Sequence, residues 1–153
     1  MKNQMKLING LIIFIMAAIM ISACESKYSS DPKDTVIKLF GAMERNDKAA
    51  ILPLIDLAQI MERGTSDYAL QTDQPRVFHQ PEELLEDLTG EGLTKTRWFS
   101  MQRVIGEVDM LGDSATVEVS FINKTTNIQY YTKFGLYKKE GYWKIYTFRK
   151  IEE

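Results

Sequence analysis

The second half of the chain constrains the fold most strongly, because turn signals divide it into segments of alternating apolar and polar residues. The turns fall at Gly112-Asp113, near Thr125-Thr126 and at Lys139-Glu140-Gly141, and such residues favour tight hairpins. Side chains alternate between the faces of a strand, so a slip of one residue would scatter the apolar set over both faces. Folding at these turns places one apolar set on one face and predicts a four-stranded antiparallel meander. The predicted pairs are Met110 with Ala115, Val108 with Val117, Phe121 with Tyr130, Val119 with Thr132, Leu136 with Trp143 and Phe134 with Ile145.

The first half of the chain carries helical signals. Asp31-Pro32 is typical of a helix start, because Asp caps the first turn and Pro lacks only an N–H that would have no partner there. Asn46-Asp47 ends this helix and caps the next, Pro53 interrupts the second helical segment, and a third helix spans Pro81 to Leu88. Helices followed by antiparallel strands predict an α+β domain in which the helices cover one face of a curved sheet. The buried stripe of the first helix is Val36, Leu39, Phe40 and Met43.

The start of the chain has the layout of a secretory signal peptide. Lys2 and Lys6 are basic, no acidic residue precedes Glu25, and an apolar run extends from Leu11 to Ile21. This run is about half of the roughly 20 residues that a membrane-spanning helix needs. A longer count, from Leu7 to Ala23, reaches the low end of the spanning range, so an uncleaved membrane anchor is the alternative.

The apolar run ends in Ile21, Ser22, Ala23 and Cys24, and these residues resemble the lipobox of bacterial lipoproteins. The resemblance implies cleavage between Ala23 and Cys24 and acylation of Cys24, which makes the lipid bilayer a partner. The alternative is a chance run of small residues with a buried Cys. Two or more acyl chains hold a protein stably on a bilayer. We therefore divide the chain into a signal peptide at 1–23, a lipidated Cys and tether at 24–30, and a domain at 31–153.

The composition argues against several kinds of partner and site, and the residue after Cys24 indicates the location. The formal net charge is -2, with one Cys and one His, which argues against a nucleic-acid partner, a disulfide framework and a His-based zinc site. No cofactor is expected. Glu25 follows Cys24, whereas many inner-membrane lipoproteins of Gram-negative bacteria carry Asp there. We therefore expect a protein anchored in the cell envelope outside the cytoplasm, and at the periplasmic face of an outer membrane where one exists. The acids expected on a solvated helix face are Glu82, Glu83, Glu86 and Asp87.

Three stretches of the domain resemble parts of a known fold. They are Asp31 through Asp47, Gly112 to Val117, and Glu140 to Ile145. They are similar to the first helix, a hairpin and the closing strand of the nuclear transport factor 2-like superfamily. The resemblance implies a cone-shaped α+β fold over Asp31 to Phe148. This superfamily contains isomerases, dehydratases and binding modules, so the fold alone identifies no activity.

The interior of such a cone is the candidate ligand pocket. Enzymes of the superfamily place an Asp, His or Tyr there, and a buried carboxylate would have the raised pKa that suits a base near neutral pH. In this chain Asp56 is expected at a solvent-exposed edge and His79 in a surface loop, so no catalytic residue is predicted. The polar residues expected to point inward are Gln102, Tyr130, Thr132 and Thr147.

The outward face of the sheet is the candidate protein interface. Tyrosine is enriched at interfaces because its ring is apolar and its tip is polar, although aromatic residues also suit half-exposed strands in general. Lysines are interleaved with these rings, and Lys133 is expected opposite Glu118. The aromatic residues expected on this face are Tyr131, Tyr137, Tyr142, Tyr146 and Phe148.

Together these features predict an envelope lipoprotein that binds and does not catalyse. Its partner is either a small apolar ligand inside the cone or an envelope protein on the aromatic sheet face. The alternatives are an isomerase- or dehydratase-type enzyme acting in the cone, and a scaffold that dimerises through the sheet. A carboxylate pointing into the cone would favour the enzyme, whereas a filled cone would favour the interaction surface.

Overall fold

The computed structural model describes residues 31–65 and 76–148. The predicted signal peptide, the lipobox residues Ile21, Ser22 and Ala23, the lipidation site Cys24 and the tether lie outside the described residues, as does 149–153. Within the described part, no helix is long and apolar enough to cross a membrane.

The described residues contain five helices ahead of the sheet, and most of them are short. The helix prediction missed α5, because its N-cap is a glycine without a side-chain hydrogen bond and two of its seven residues are threonines, which are weak helix formers. The helices are α1 (Pro32–Glu44), α2 (Lys48–Ile51), α3 (Leu57–Arg63), α4 (Pro81–Asp87) and α5 (Leu93–Phe99).

Aspartates start three of the helices. Asp31, Asp47 and Asp56 cap α1, α2 and α3, and each carboxylate accepts a hydrogen bond from the backbone N–H three residues further on. These bonds satisfy N–H groups that have no partner inside the helix. The predicted caps at Asp31 and Asp47 are confirmed. The predicted break at Pro53 is also confirmed, because α2 ends before it and α3 begins after it.

The four strands form one antiparallel sheet in the order β1-β2-β3-β4, which confirms the predicted meander and the α+β class. The pairs predicted across the first two turns are present, including Met110 with Ala115 and Phe121 with Tyr130. Glu118 also lies opposite Lys133, as predicted. The strands are β1 (Gln102–Leu111), β2 (Ser114–Asn123), β3 (Ile128–Lys139) and β4 (Tyr142–Thr147).

The predicted register of the third hairpin is wrong by two residues. Leu136 pairs with Ile145 rather than with Trp143, and Trp143 pairs with Lys138. The turn consists of Glu140 and Gly141, both with positive φ (53° and 87°), and a two-residue turn of this kind matches the twist of the flanking strands. Because the shift is an even number of residues, Trp143 and Ile145 still face the core, where both are buried.

Two irregularities in strand pairing change which residues point inward at the strand ends. In β1, the pairing shifts between Ile105 and Val108. In β4, Leu136 pairs with Ile145 but Gly135 pairs with Thr147, so the residue between them is a bulge. An extra residue on one strand exchanges the two faces beyond it.

These bulges overturn three predicted placements. Gln102 is exposed and Arg103, opposite the buried Phe121, takes the inward position. Thr147 pairs with Gly135, which belongs to the outward-facing residues of β3, although the Thr147 side chain is buried. Phe148, predicted on the outward face, is fully buried in the core.

The open edge of β4 is partly covered by the chain before α3. The backbone N–H of Asp56 donates to the Ile145 carbonyl at 2.8 Å, and the Ile145 N–H donates to the Leu54 carbonyl at 2.9 Å. Within the described residues, β1 has no corresponding strand on its free edge. A sheet edge without a partner is a site for further contacts, so the two edges of this sheet are not equivalent.

Candidate functional site

The space between the helices and the sheet is filled by aromatic side chains. The ring of Trp98, from α5, lies 5.4 Å from that of Phe121, 5.5 Å from that of Phe134 and 5.6 Å from that of Phe148. The ring of Phe40, from α1, lies 5.8 Å from that of Trp98. Stacked and edge-to-face rings at such distances form a packed core. Aromatic side chains therefore occupy the space in which the ligand pocket was predicted.

The four residues predicted to line the pocket do not converge on a cavity. Tyr130 packs on the edge of the core. Thr132 is buried, and its hydroxyl donates to the Phe148 carbonyl at 2.6 Å. The inward positions predicted for Gln102 and Thr147 are wrong, because the two bulges described above change the faces on which these residues lie. At the position predicted for Gln102, the guanidinium of Arg103 lies 3.8 Å from the centroid of the Phe99 ring.

The outward face of the sheet exposes a small apolar patch. Val104 on β1 pairs with Ser120 on β2, which pairs with Tyr131 on β3, so the three form one row across the sheet. Tyr131 is 55% exposed and Val104 is 42% exposed, whereas Ser120 is buried between them. Ile122 is the next outward residue on β2. We call Val104, Ser120, Ile122 and Tyr131 the Tyr131 patch.

Polar residues surround the Tyr131 patch. Glu118 and Lys133 form the neighbouring row on one side. On the other side Gln129 donates to the Ser120 hydroxyl at 2.9 Å. An apolar centre with a polar rim is the usual anatomy of a protein–protein contact. Sequence reasoning found Tyr131 but missed Val104, because only the bulge in β1 places Val104 on the outward face.

Two of the other predicted interface tyrosines are engaged within the domain. The Tyr137 hydroxyl donates to the Asp56 carboxylate, and the rings of Tyr137 and Tyr146 lie 6.0 Å apart. The guanidinium of Arg63, from α3, lies 5.2 Å from the centroid of the Tyr146 ring. Tyr142 remains 40% exposed near the third turn. The predicted interface therefore separates into an exposed part at Tyr131 and Tyr142 and a part that contacts α3.

The environment of Asp56 makes its carboxylate a weak base. Burial by itself raises the pKa of Asp56, but the hydrogen bonds from Tyr137 and Gln59 and the charges of Lys144 and Lys139 outweigh it and lower the pKa below that of an ordinary aspartic acid. The same hydrogen bond raises the pKa of Tyr137 to about 12, and burial adds to this shift. A carboxylate that acts as a general base near neutral pH needs a raised pKa. The pKa of Asp56 is shifted in the opposite direction.

The acidic cluster on α4 is only partly solvated. Its three glutamates are exposed, as predicted, but Asp87 is buried and ion-paired with Arg76. The backbone N–H of Thr94 donates to the same carboxylate at 3.3 Å. The prediction for Asp87 is wrong because α5, which was not predicted, packs against α4 and covers it.

An open polar cleft of about 700 Å³ lies beside Asp87. It is lined by residues of both charges, including Lys48, Arg76, Glu86 and Glu91. The described residues contain no group of three or more His, Cys, Asp or Glu side chains that could hold a metal ion. His79 is exposed in the loop before α4, as expected for a surface residue.

Comparison with protein-family models, curated proteins and solved structures found no match for this chain.

Proposed function

We propose that this chain is a bacterial envelope lipoprotein, anchored through acylated Cys24, whose domain binds an envelope protein through the Tyr131 patch. The observation that carries the proposal is the contrast between a filled interior and an exposed apolar row on the outward face. Trp98 and its neighbours occupy the space that a small ligand would need. Val104 and Tyr131 are instead available at the surface.

We also propose that the domain is a variant of the nuclear transport factor 2-like fold with a closed interior. Its α+β order, four-stranded sheet and inward-facing Trp143 and Ile145 agree with that fold. Enzymes of the superfamily need an open cone with a base inside it. The lowered pKa of Asp56 and its position at the sheet edge favour binding over an isomerase- or dehydratase-type reaction.

Site-specific photocrosslinking in living cells tests the binding surface. A photoreactive phenylalanine analogue at position 131 is expected to give one discrete adduct, and the same probe at exposed His79 is the matched control without an adduct. Adding Val104→Lys in the same row should remove the adduct, because burying a lysine charge in an apolar contact is unfavourable. An adduct of twice the subunit mass would identify a second copy as the partner. Equal labelling from both positions, or none from 131, would contradict the proposed surface.

Replacement of Cys24 tests the anchor separately. Cys24→Ser is expected to abolish metabolic labelling with fatty acid and to block removal of residues 1–23. Ala23→Gly keeps a small residue before the cysteine and should retain labelling. An unaltered protein that carries no fatty acid, keeps residues 1–23 and stays on the membrane would instead show that the apolar run Leu11 to Ile21 is itself the anchor.

A further inference from the structure

The open cleft beside Asp87 is separate from the Tyr131 patch. Its lining residues come from the helices and their connections, between Asn46 and Leu93, and none of the described strand residues lines it. Its volume of about 700 Å³ falls within the range of about 300–1,000 Å³ that is typical of small-molecule sites. The cleft therefore has room for a small ligand, unlike the filled interior of the domain.

Arg76 is held in a fixed orientation at this cleft. Its Nη1 group donates to the buried carboxylate of Asp87 and, at 3.4 Å, to the hydroxyl of buried Thr94. The guanidinium carbon lies 5.6 Å from the centroid of the buried Phe78 ring, which is within the range of a cation–π contact. The side chain is nevertheless 34% exposed.

The other side of the same guanidinium is available to a ligand. Among the described residues, the Nε and Nη2 groups of Arg76 have no hydrogen-bond partner. These two groups form one side of the planar guanidinium, and this is the side that can donate two parallel hydrogen bonds to a carboxylate. Because Arg76 lines the cleft, it is the residue best suited to bind an anionic group there.

Stability alone does not account for the buried carboxylate of Asp87. A buried ion pair often adds no stability over an apolar pair of similar size, because both charges lose their hydration. Here the Oδ2 oxygen of Asp87 also lacks a hydrogen-bond partner within the described part of the chain, which is itself destabilising. The contact that Asp87 makes through Oδ1 orients Arg76, so Asp87 is a positioning residue for the guanidinium.

The cleft also carries a surplus of negative charge, because four of its lining residues are acidic and two are basic. Each base already lies within ion-pair distance of one acid. Glu83 and Glu91 line the cleft without a cationic partner in residues 31–65 and 76–148. A ligand that fits these charges carries a cationic group for the acids in addition to an anionic group for Arg76.

The shape of the cleft is fixed by the turn that follows α4. The Asn46 side-chain oxygen accepts a hydrogen bond from the Gly90 N–H at 2.6 Å, which ties this turn to the end of α1. A Cβ on Gly92 would overlap the carbonyl oxygens of Glu86 and Asp87, so the turn packs directly on the end of α4. A wall held in this way lowers the entropic cost of binding.

We propose that the cleft binds a zwitterionic ligand of the amino-acid type, either a free amino acid or a short peptide with free ends. Its carboxylate accepts hydrogen bonds from the Nε and Nη2 groups of Arg76, and its ammonium group lies among the acids that include Glu83 and Glu91. Asp87 holds the guanidinium in place for this contact. Because the cleft is open, the ligand exchanges with solvent and is not retained when the protein is extracted.

Isothermal titration of the full chain, extracted from its host in detergent, tests the site with tri-alanine as the probe. Tri-alanine with free ends is expected to bind roughly tenfold more tightly than its carboxyl-amidated form, because the amide cannot accept charge-assisted hydrogen bonds from Arg76. Acetylation of the amino end should also weaken binding, because the acids then lose their cationic partner. Free L-alanine distinguishes the sources: binding as tight as that of tri-alanine indicates an amino acid, and weaker binding indicates a peptide.

Variants separate recognition by Arg76 from a general effect on the fold. Arg76→Lys keeps the charge but not the paired N–H groups, so the preference for free over amidated tri-alanine should fall to roughly twofold or less. Asp87→Asn keeps the shape of the side chain and is expected to reduce the same preference. This preference is a ratio of two affinities, so partial loss of folded protein does not change it. Arg97→Lys alters an exposed arginine outside the cleft and should keep the full preference.

The outcomes that contradict the site are distinct from a failure to fold, which circular dichroism detects. No binding of either peptide, equal affinities for the free and amidated forms, or an unchanged preference in folded Arg76→Lys would overturn the inference. An unchanged preference in folded Asp87→Asn would overturn the positioning role of Asp87. Arg76→Lys keeps the test decisive if Asp87→Asn does not fold.

Discussion

The two faces of the sheet use the same four strands and similar aromatic residues, but they have different physical roles. On the inner face, Phe121 and Phe134 pack against Trp98 and are closed to solvent. On the outer face, Tyr131 is half exposed and Tyr137 is hydrogen-bonded to Asp56. The comparison shows that aromatic content does not distinguish the buried face of the sheet from its outer face in this chain. The two faces are distinguished by which strand residues point to each of them, and the bulges in β1 and β4 change this alternation.

Removing the ring of Trp98, which α5 packs against the inner face of the sheet, should have the largest effect. Trp98→Ala is expected to lower the free energy of unfolding by about 3–5 kcal/mol, because it removes the ring that contacts four others and leaves a cavity. Urea denaturation followed by circular dichroism measures the change. Trp98→Phe keeps most of the packing and serves as the control. A loss below about 1 kcal/mol for Trp98→Ala would contradict a packed interior.

The bulge in β4 can be tested at Gly135. A Cβ at this position would lie 2.6 Å from Thr147 Cγ2 and 2.9 Å from Tyr146 Cζ. Gly135→Ala is therefore expected to cost about 1–3 kcal/mol of stability. Gly106→Ala, whose Cβ would meet its nearest neighbour at 3.5 Å, is the matched control at the other irregularity and should cost less. Equal losses at the two glycines would argue against the observed pairing of Gly135 with Thr147.

The hydrogen bond between the outer face and α3 should contribute a smaller and pH-dependent amount. Tyr137→Phe is expected to cost about 1 kcal/mol near neutral pH. Because the pKa of Tyr137 is raised when folded, its contribution is full below about pH 10, the ordinary tyrosine value, and is lost as the pH rises through about 12. The stability difference between the two proteins should therefore shrink over that range. A stability difference between the two proteins that stays constant as the pH rises through about 12 would contradict the hydrogen bond between Tyr137 and Asp56.

Asp56→Asn should separate the charge of this residue from its role as a cap. Asparagine caps a helix about as well as aspartate, so stability near neutral pH should fall by less than ~1 kcal/mol. The folded pKa of Asp56 is lowered, so its contribution is full above about pH 4 and disappears as the pH falls further. Acid titration should show this loss in the original protein and less of it in the variant. We also expect Asp56→Asn to keep the cellular role, and its loss in a folded variant would support catalysis.

The smallest effect on stability is expected at the Tyr131 patch. Tyr131→Ala should change the free energy of unfolding by less than about 0.5 kcal/mol, because the side chain is more than half exposed. The same change should weaken partner capture in the photocrosslinking assay with the probe moved to position 104. Destabilisation comparable to that of Trp98→Ala would place Tyr131 in the core and remove the contrast between the faces.

Local sequence signals predicted the middle of the sheet but not its ends. The first two turns fixed the registers of β1, β2 and β3 near the hairpins, since Gly112 supplies the positive φ that the first turn requires. A bulge adds one residue without a distinctive composition, so the faces of Gln102, Thr147 and Phe148 could not be predicted by alternation. Gly106 and Gly135 mark the irregular segments, and a glycine inside a strand is the signal that could have indicated them.

The candidate site was predicted only in part for related reasons. Tyr131 was found because its strand keeps a regular phase next to the second turn. Val104 was missed because it lies beyond the bulge in β1. The burial of Asp87 and the filling of the interior both depend on α5, whose residues show neither a cap nor a clear apolar period. Interactions between segments distant in sequence therefore determined the parts that local patterns could not.

Native mass spectrometry of the protein extracted from its own host in detergent tests the central claim most directly. Because aromatic side chains fill the space between the helices and the sheet, we expect a subunit with the mass of the chain from Cys24 onward plus its covalent lipid, and no further small molecule. A component that is retained in a fixed ratio to the subunit and released only on denaturation would contradict it, and would show that the interior opens to hold a ligand.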